Sequence, residues 1–287
     1  MSSRPTSTRT RLLRILVIVA AIAVPAVTLP GMPHVSPWPA LLGMLPWVLG
    51  KYVLCPLRWH SLSEAGQSRR WHLRAYAESE LMGLLTPGHI GADVWRARRL
   101  TRVGMPTPSA AAEVGIDRLV GALGLTLFVA VAGAALPTRM LVTALLVAAI
   151  AVLGALVVRR LRPDLVPDRK LPSAKHVARG MALSVGYQLT IGALLFGTVA
   201  ATGHAVSPLA LLGAFGASQV AGAVPGPNGA SPRDGALVFA LVALDVPLRA
   251  AIGAVALMAT VAWLPALALG GGSLLLARRS LRGLAPA

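Results

Sequence analysis

Charge is scarce in this sequence, and negative charge is the scarcest. Only 13% of its 287 residues are charged, with 10 acidic side chains against 27 lysines and arginines. A soluble domain of this length needs far more polar surface. Aromatic residues make up 5% of the chain, and no separate basic domain stands apart from the apolar runs, so the formal net charge of +17 does not point to nucleic acid. Cysteine is nearly absent. Cys55 stands alone, which excludes an intrachain disulfide and leaves a packing role. No G-x-x-x-x-G-K-[ST] stretch appears, no histidine pair has metal-ligand spacing, and no Ser-His-Asp or Cys-His grouping stands out. Nucleotide, cofactor and metal are therefore not expected, and neither is an enzyme.

What is abundant is apolar sequence, 55% of the chain, in continuous rather than alternating runs. Runs near 20 residues match the thickness of a bilayer, and continuity favours helices over barrel strands. The expected fold class is an all-α integral membrane protein. Six full spans are expected: Leu12–Leu29, Trp38–Leu57, Ser109–Leu136, Met140–Val158, Val177–Thr202 and Leu248–Ala277. Met1 to Arg14 is basic and leads into the first run like a signal peptide, but no small-x-small cleavage site follows, so an uncleaved helix is expected.

Trp71–Arg102 and Pro208–Val246 fit no simple span. Each has a helix-length arm, a Pro/Gly break and a second arm. Arginines and lysines gather in residues 1–14, in the segment from Arg58 to Arg102, in the loop from Arg159 to Arg179 and in the tail, whereas the opposite loops hold only Arg139 and Arg249. The positive-inside rule then puts both termini in the cytoplasm of a cell-membrane protein. The alternation works only if the two odd segments leave and return on one side, as re-entrant hairpins from opposite faces. The chain thus reads as a single membrane domain: residues 1–37 as basic segment and first span, 38–158 as a first half with hairpin 71–102, 159–176 as a basic loop, and 177–287 as a second half with hairpin 208–246.

The two breaks resemble each other. Pro87, Gly88 and Gly91 match Pro225, Gly226 and Gly229 in the pattern P-G-x-x-G, with Pro227 and Asn228 between the second pair of glycines. Arg96 and Asp234 follow each first proline at the same distance. Two such units of opposite orientation make an inverted repeat, in which two helix N-termini converge on a buried site suited to an anion such as lipid phosphate.

The charged residues near the breaks have two readings each. Ser231, Pro232 and Asp234 read as the N-cap, first residue and N3 position of a capping box, which leaves Arg233 unexplained. Asp93 reads as a second cap or as a ligand, and Arg96 as a ligand or as an arginine snorkelling to the cytoplasm. Glu113, Asp117 and Arg118 fall in one apolar span. They read either as a buried ion pair fixing helix packing or as a polar pocket, Arg118 meeting phosphate and the carboxylates a cation or proton. Glu78 and Glu80 read as partners of Arg74 and its neighbours.

With these motifs the chain resembles the lysylphosphatidylglycerol synthase transmembrane-region family. The family pattern at the second break is close to P-x-P-G-G-x-G-x-x-E; here it runs from Pro225 to Asp234, with Asn228 and Ser231 at usual glycine positions and Asp234 for glutamate. Pro87, Gly91, Asp93 and Arg96 resemble the family's first-break segment, and Arg118 its downstream helix arginine. The likeness runs from about Trp38 to the last span. It implies a flippase-like domain that moves or binds a polar phospholipid, with Asp93, Arg96, Glu113, Asp117, Arg118, Asn228, Arg233 and Asp234 around the head group. The soluble aminoacyl-transfer domain of the two-part synthases has no counterpart in this sequence, so lysyl transfer is not implied. A small-solute or ion transporter, a lipid-modifying intramembrane enzyme and a structural partner of a separate synthase stay open as alternatives.

Overall fold

The computed structural model describes residues 36–84, 86, 90–132, 172–221 and 231–276, with single positions at 146, 153, 157 and 160. Every regular element among them is helical. The expected span Leu12–Leu29, almost all of Met140–Val158, and the break residues Pro87, Gly88, His89, Pro225, Gly226, Pro227, Asn228 and Gly229 lie outside the described residues.

Among the described residues four helices are long and apolar enough to cross a membrane: Pro37–Leu62, Thr107–Ala132, Ala174–Ala201 and Leu248–Leu276. The first comprises α1 (Pro37–Leu49), a π-helical stretch at Gly50–Leu54 and α2 (Cys55–Leu62). Helices α3 (Arg69–Leu84) and α4 (Ile90–Arg102) follow, then α5 (Thr107–Ala132). The second half repeats this order: α6 (Ala174–Ala201), then α7 (Pro208–Ala221) and α8 (Pro232–Val242), then α9 (Leu248–Pro265), which continues through a π-helical stretch at Ala266–Gly271. Both π stretches adjoin a proline. Pro56 has no N–H for the carbonyl of Tyr52, and Pro265 none for that of Val261. Widening the ladder beside them is how a long helix absorbs a missing donor.

The packing is reciprocal. The two first spans meet along α1 and α6, the pair α3–α4 leans on α5 and on the end of the α9 span, and the pair α7–α8 leans on α9 and on α5. Glycines set the closest approaches. At the α1–α6 crossing Gly43 and Gly197 face each other, and a side-chain carbon on Gly43 would lie 2.6 Å from the Ala193 carbonyl oxygen. At Gly270 such a carbon would lie 2.5 Å from the Ala77 carbonyl oxygen, which draws α3 onto the last span. Small residues at helix crossings let backbones touch where lipid offers no hydrophobic drive.

Two differences from expectation have a local cause. The first described span runs to Leu62 rather than Leu57, because Arg58 and Trp59 find buried partners and need not mark the membrane edge. For the same reason Arg58 and Arg96 do not belong with the exposed arginines of a cytoplasmic face. They are 7% and 2% exposed.

Candidate functional site

Two polar groupings lie inside this apolar frame. The first joins α2, α4, α5 and α6. Arg58 donates through Nε to Asp117 Oδ1 at 2.8 Å and through Nη2 to Oδ2 at 3.1 Å, a two-pronged pair, and its Nη1 donates to Ser184 Oγ at 2.8 Å. Arg96 donates through Nη1 to Asp117 Oδ2 at 2.6 Å and through Nη2 to Asp93 Oδ1 at 2.7 Å. Arg118 Nε donates to both oxygens of Asp93, at 3.0 and 3.2 Å. The Arg96 guanidinium also sits 5.5 Å from the ring centres of both Trp59 and Tyr76. Gly121 makes room for Arg58: a side-chain carbon there would lie 2.8 Å from its Nη1. Charge-assisted bonds of this geometry satisfy groups whose burial alone is very costly.

Glu113 belongs elsewhere. One turn before Asp117, it accepts from Trp59 Nε1 at 3.0 Å, Ser63 Oγ at 2.6 Å and the Glu64 backbone N–H at 3.2 Å. It thereby ties the turn after α2 to α5, its oxygens taking up donors that would otherwise be buried unpaired.

The second grouping lines a cavity of about 90 Å3 between the halves. Lys51 and Tyr52 reach it from the first π stretch, Glu80 and Leu84 from α3, Tyr187 from α6, Arg233 and Asp234 from α8, and Ala266 from the second π stretch. Lys51 Nζ is 2.8 Å from Glu80 Oε2 and 5.6 Å from the centre of the Tyr187 ring. At the start of α8 the capping box read from the sequence is present. Asp234 N–H donates to Ser231 Oγ at 3.2 Å, while Asp234 Oδ2 accepts from the Ser231 N–H at 3.0 Å. Arg233 Nη2 approaches Asp234 Oδ1 at 3.3 Å.

Of the residues expected at the site, Asp93, Arg96, Asp117 and Arg118 come together in the first grouping, and Arg233 and Asp234 in the second. Glu113 joins neither, and Asn228 lies outside the described residues. Gly91 closes the first break: its N–H donates to Thr86 Oγ1 at 2.8 Å, and a side-chain carbon there would lie 2.6 Å from the Met82 carbonyl oxygen. Asp93 serves arginines rather than a cap. The expected partnership of Glu78 and Glu80 with Arg74 does not form. Glu78 takes Trp95 Nε1 at 3.1 Å, Ser273 Oγ at 3.0 Å and Arg99, and Glu80 takes Lys51. Sequence reasoning missed Lys51, Tyr52, Arg58, Glu80 and Tyr187. Lys51 carried a signal: it is the one charge between Pro37 and Leu57, flanked by Pro46 and Pro56. Among the described residues no group of three or more His, Cys, Asp or Glu side chains is placed to hold a metal.

Long apolar helices with charged groups paired in their midst define an all-helical membrane protein. Its sequence matches the model of the lysylphosphatidylglycerol synthase TM region over residues 11–270, and the chain belongs to that family. A search of curated proteins found no match.

Proposed function

We propose that this protein is a lipid translocase that holds a polar phospholipid head group in the cavity between its halves while the tails stay in the bilayer. The observation that carries the reading is convergence: the end of α3 at Leu84 and the start of α8 at Arg233 and Asp234 line one cavity, with Lys51 and Glu80 beside them. The four arms α3, α4, α7 and α8 have 16, 13, 14 and 11 residues, each short of the roughly 20 that cross a membrane. They fit re-entrant hairpins entering from opposite faces of a six-span protein in the cell membrane, with both termini cytoplasmic. The dipole of α8 adds to Arg233 and Lys51 in favouring a phosphate there, while Glu80 and Asp234 balance the charge when no lipid is bound. At about 90 Å3 the cavity holds no more than a few waters. In this reading a head group enters when the hairpins part. Membership of a synthase transmembrane-region family supports a lipid-related role. The cavity groups are suited to binding rather than bond-breaking.

In liposomes holding the purified protein, fluorescent phospholipids are expected to cross between leaflets in a manner that depends on the head group. Lys51→Gln and Arg233→Gln are each expected to slow this by about tenfold, the worth of one charge-assisted contact. Crossing no faster than in empty liposomes, with and without an imposed proton gradient, would turn the reading toward transport of a small solute.

A further inference from the structure

We propose that Glu80 carries a proton with each anionic lipid, so that the cavity between the halves couples lipid movement to a proton gradient. Such coupling rests on the translocase reading of the same cavity and adds its energy source. Two cations line the cavity, Lys51 and Arg233, and two carboxylates, Glu80 and Asp234. They balance, and no other lining side chain is charged. The head group of an anionic phospholipid such as phosphatidylglycerol brings one negative charge and no positive one. Water to screen it is scarce in a cavity of about 90 Å3, and an uncompensated buried charge is costly. One proton, taken from water onto a carboxylate, restores the balance.

Geometry chooses Glu80. Asp234 is held in its ionised form by its own cap: Oδ2 accepts from the Ser231 N–H at 3.0 Å and from Ser231 Oγ at 2.6 Å, and Arg233 lies against Oδ1. Glu80 instead faces Lys51 Nζ at 2.8 Å, the cation that an incoming phosphate takes, and its side chain is only 8% exposed. The groups around it are weak acids or are engaged elsewhere. Tyr52, Tyr76 and Tyr187 bring neutral phenols from the first π stretch, α3 and α6, and Cys55 a buried thiol beside Tyr76. On α4, Arg96 turns to Asp117 and Asp93, and Arg99 to Glu78. The last span, packed on α3, carries no titratable side chain beyond Arg249 near its start. The α5 carboxylates Glu113 and Asp117 do not line the cavity and already accept bonds elsewhere. The proton's path follows. The phosphate pairs with Lys51, Glu80 loses its cation and takes a proton, and lipid and proton cross together with no net charge. On the far side the phosphate leaves, Lys51 returns to Glu80, and the proton goes to water.

Fluorescent phosphatidylglycerol and phosphatidylcholine in liposomes holding the purified protein test this, under either a pH step or a potassium diffusion potential. With wild type, a step of one pH unit is expected to draw phosphatidylglycerol about tenfold toward the alkaline leaflet before empty liposomes respond. A potential of about 60 mV, worth the same tenfold for one uncompensated charge, is expected to draw none. Phosphatidylcholine, whose choline balances its phosphate, is expected to ignore both. Glu80→Gln, uncharged like the protonated acid, is expected to reverse the pattern, with phosphatidylglycerol following the potential and ignoring pH. Glu80→Asp, which can still carry a proton, is expected to keep the wild-type response. The wild-type arms and Glu80→Asp decide the matter if Glu80→Gln does not fold. Wild-type movement of phosphatidylglycerol that follows the potential alone overturns the coupling and leaves the translocase standing, as does a pH response that survives in Glu80→Gln. Absence of any protein-dependent lipid movement in wild type overturns both.

Discussion

Replacing Asp117 with alanine is expected to remove about 3–5 kcal/mol of stability, enough to bring a typical domain to the edge of unfolding. Asp117 is fully buried and accepts from two guanidinia at once. Without it, Arg58 keeps only Ser184 and Arg96 only Asp93 and two aromatic faces. An uncompensated buried charge is costlier than the pair was favourable, so the loss exceeds that of an ordinary core truncation. Thermal unfolding in detergent, followed by tryptophan emission, is the readout, and Trp59 beside Arg96 is one of the six reporters. The double change Arg58→Met with Asp117→Ala should recover part of the loss, because it removes one orphaned charge and leaves Arg96 its Asp93 partner. An Asp117→Ala protein melting like wild type would mean that water already serves these groups.

A valine at Gly197 should do comparable damage by a different route. The α1–α6 crossing is the joint between the halves, and it is backbone against backbone. A side-chain carbon at Gly197 would overlap the Pro39 carbonyl oxygen and lie 3.2 Å from Gly43 Cα. No flexible side chain stands there to yield, so the helices must part along their length. Overpacking of this kind costs about 1–3 kcal/mol, and more where the backbone itself must move. The same melting measurement should show a clear fall for Gly197→Val. Gly272→Ala, where nothing lies within 4 Å, should leave the melt unchanged or raise it slightly.

Much of the frame was legible because hydropathy and punctuation are local signals. Four apolar helices were readable from the length of their runs, and the Ser231–Asp234 cap from the spacing of its own residues. The capping box forms within one turn and needs nothing from the rest of the chain. The paired charges were less legible because their partners are far apart in sequence. Arg58 reads as an edge arginine until Asp117, 59 positions later, is seen beside it. Glu78 reads as a partner for its own helix, but its carboxylate reaches Ser273, 195 positions away. Glu80 is unremarkable in its own segment, and Lys51, the one charge in its run, has no partner within that run. They become a site only when the first span and α3 are packed together with Tyr187 over them. Glu113 and Asp117 share a helical face, yet within a single turn one accepts from neutral donors and the other from two guanidinia, and periodicity cannot tell these apart.

The most direct test of the central claim joins the two halves across the cavity. Leu84 at the end of α3 and Ala262 on α9 both line it, and neither carries charge. With Cys55 replaced by alanine, cysteines at 84 and 262 can be bridged by a short cleavable cross-linker after reconstitution into liposomes. If the hairpins must part for a head group to pass, bridging stops lipid movement between leaflets, cleavage restores it, and either cysteine alone leaves it running. Lipid movement that continues at full rate in the bridged protein would contradict passage through this cavity.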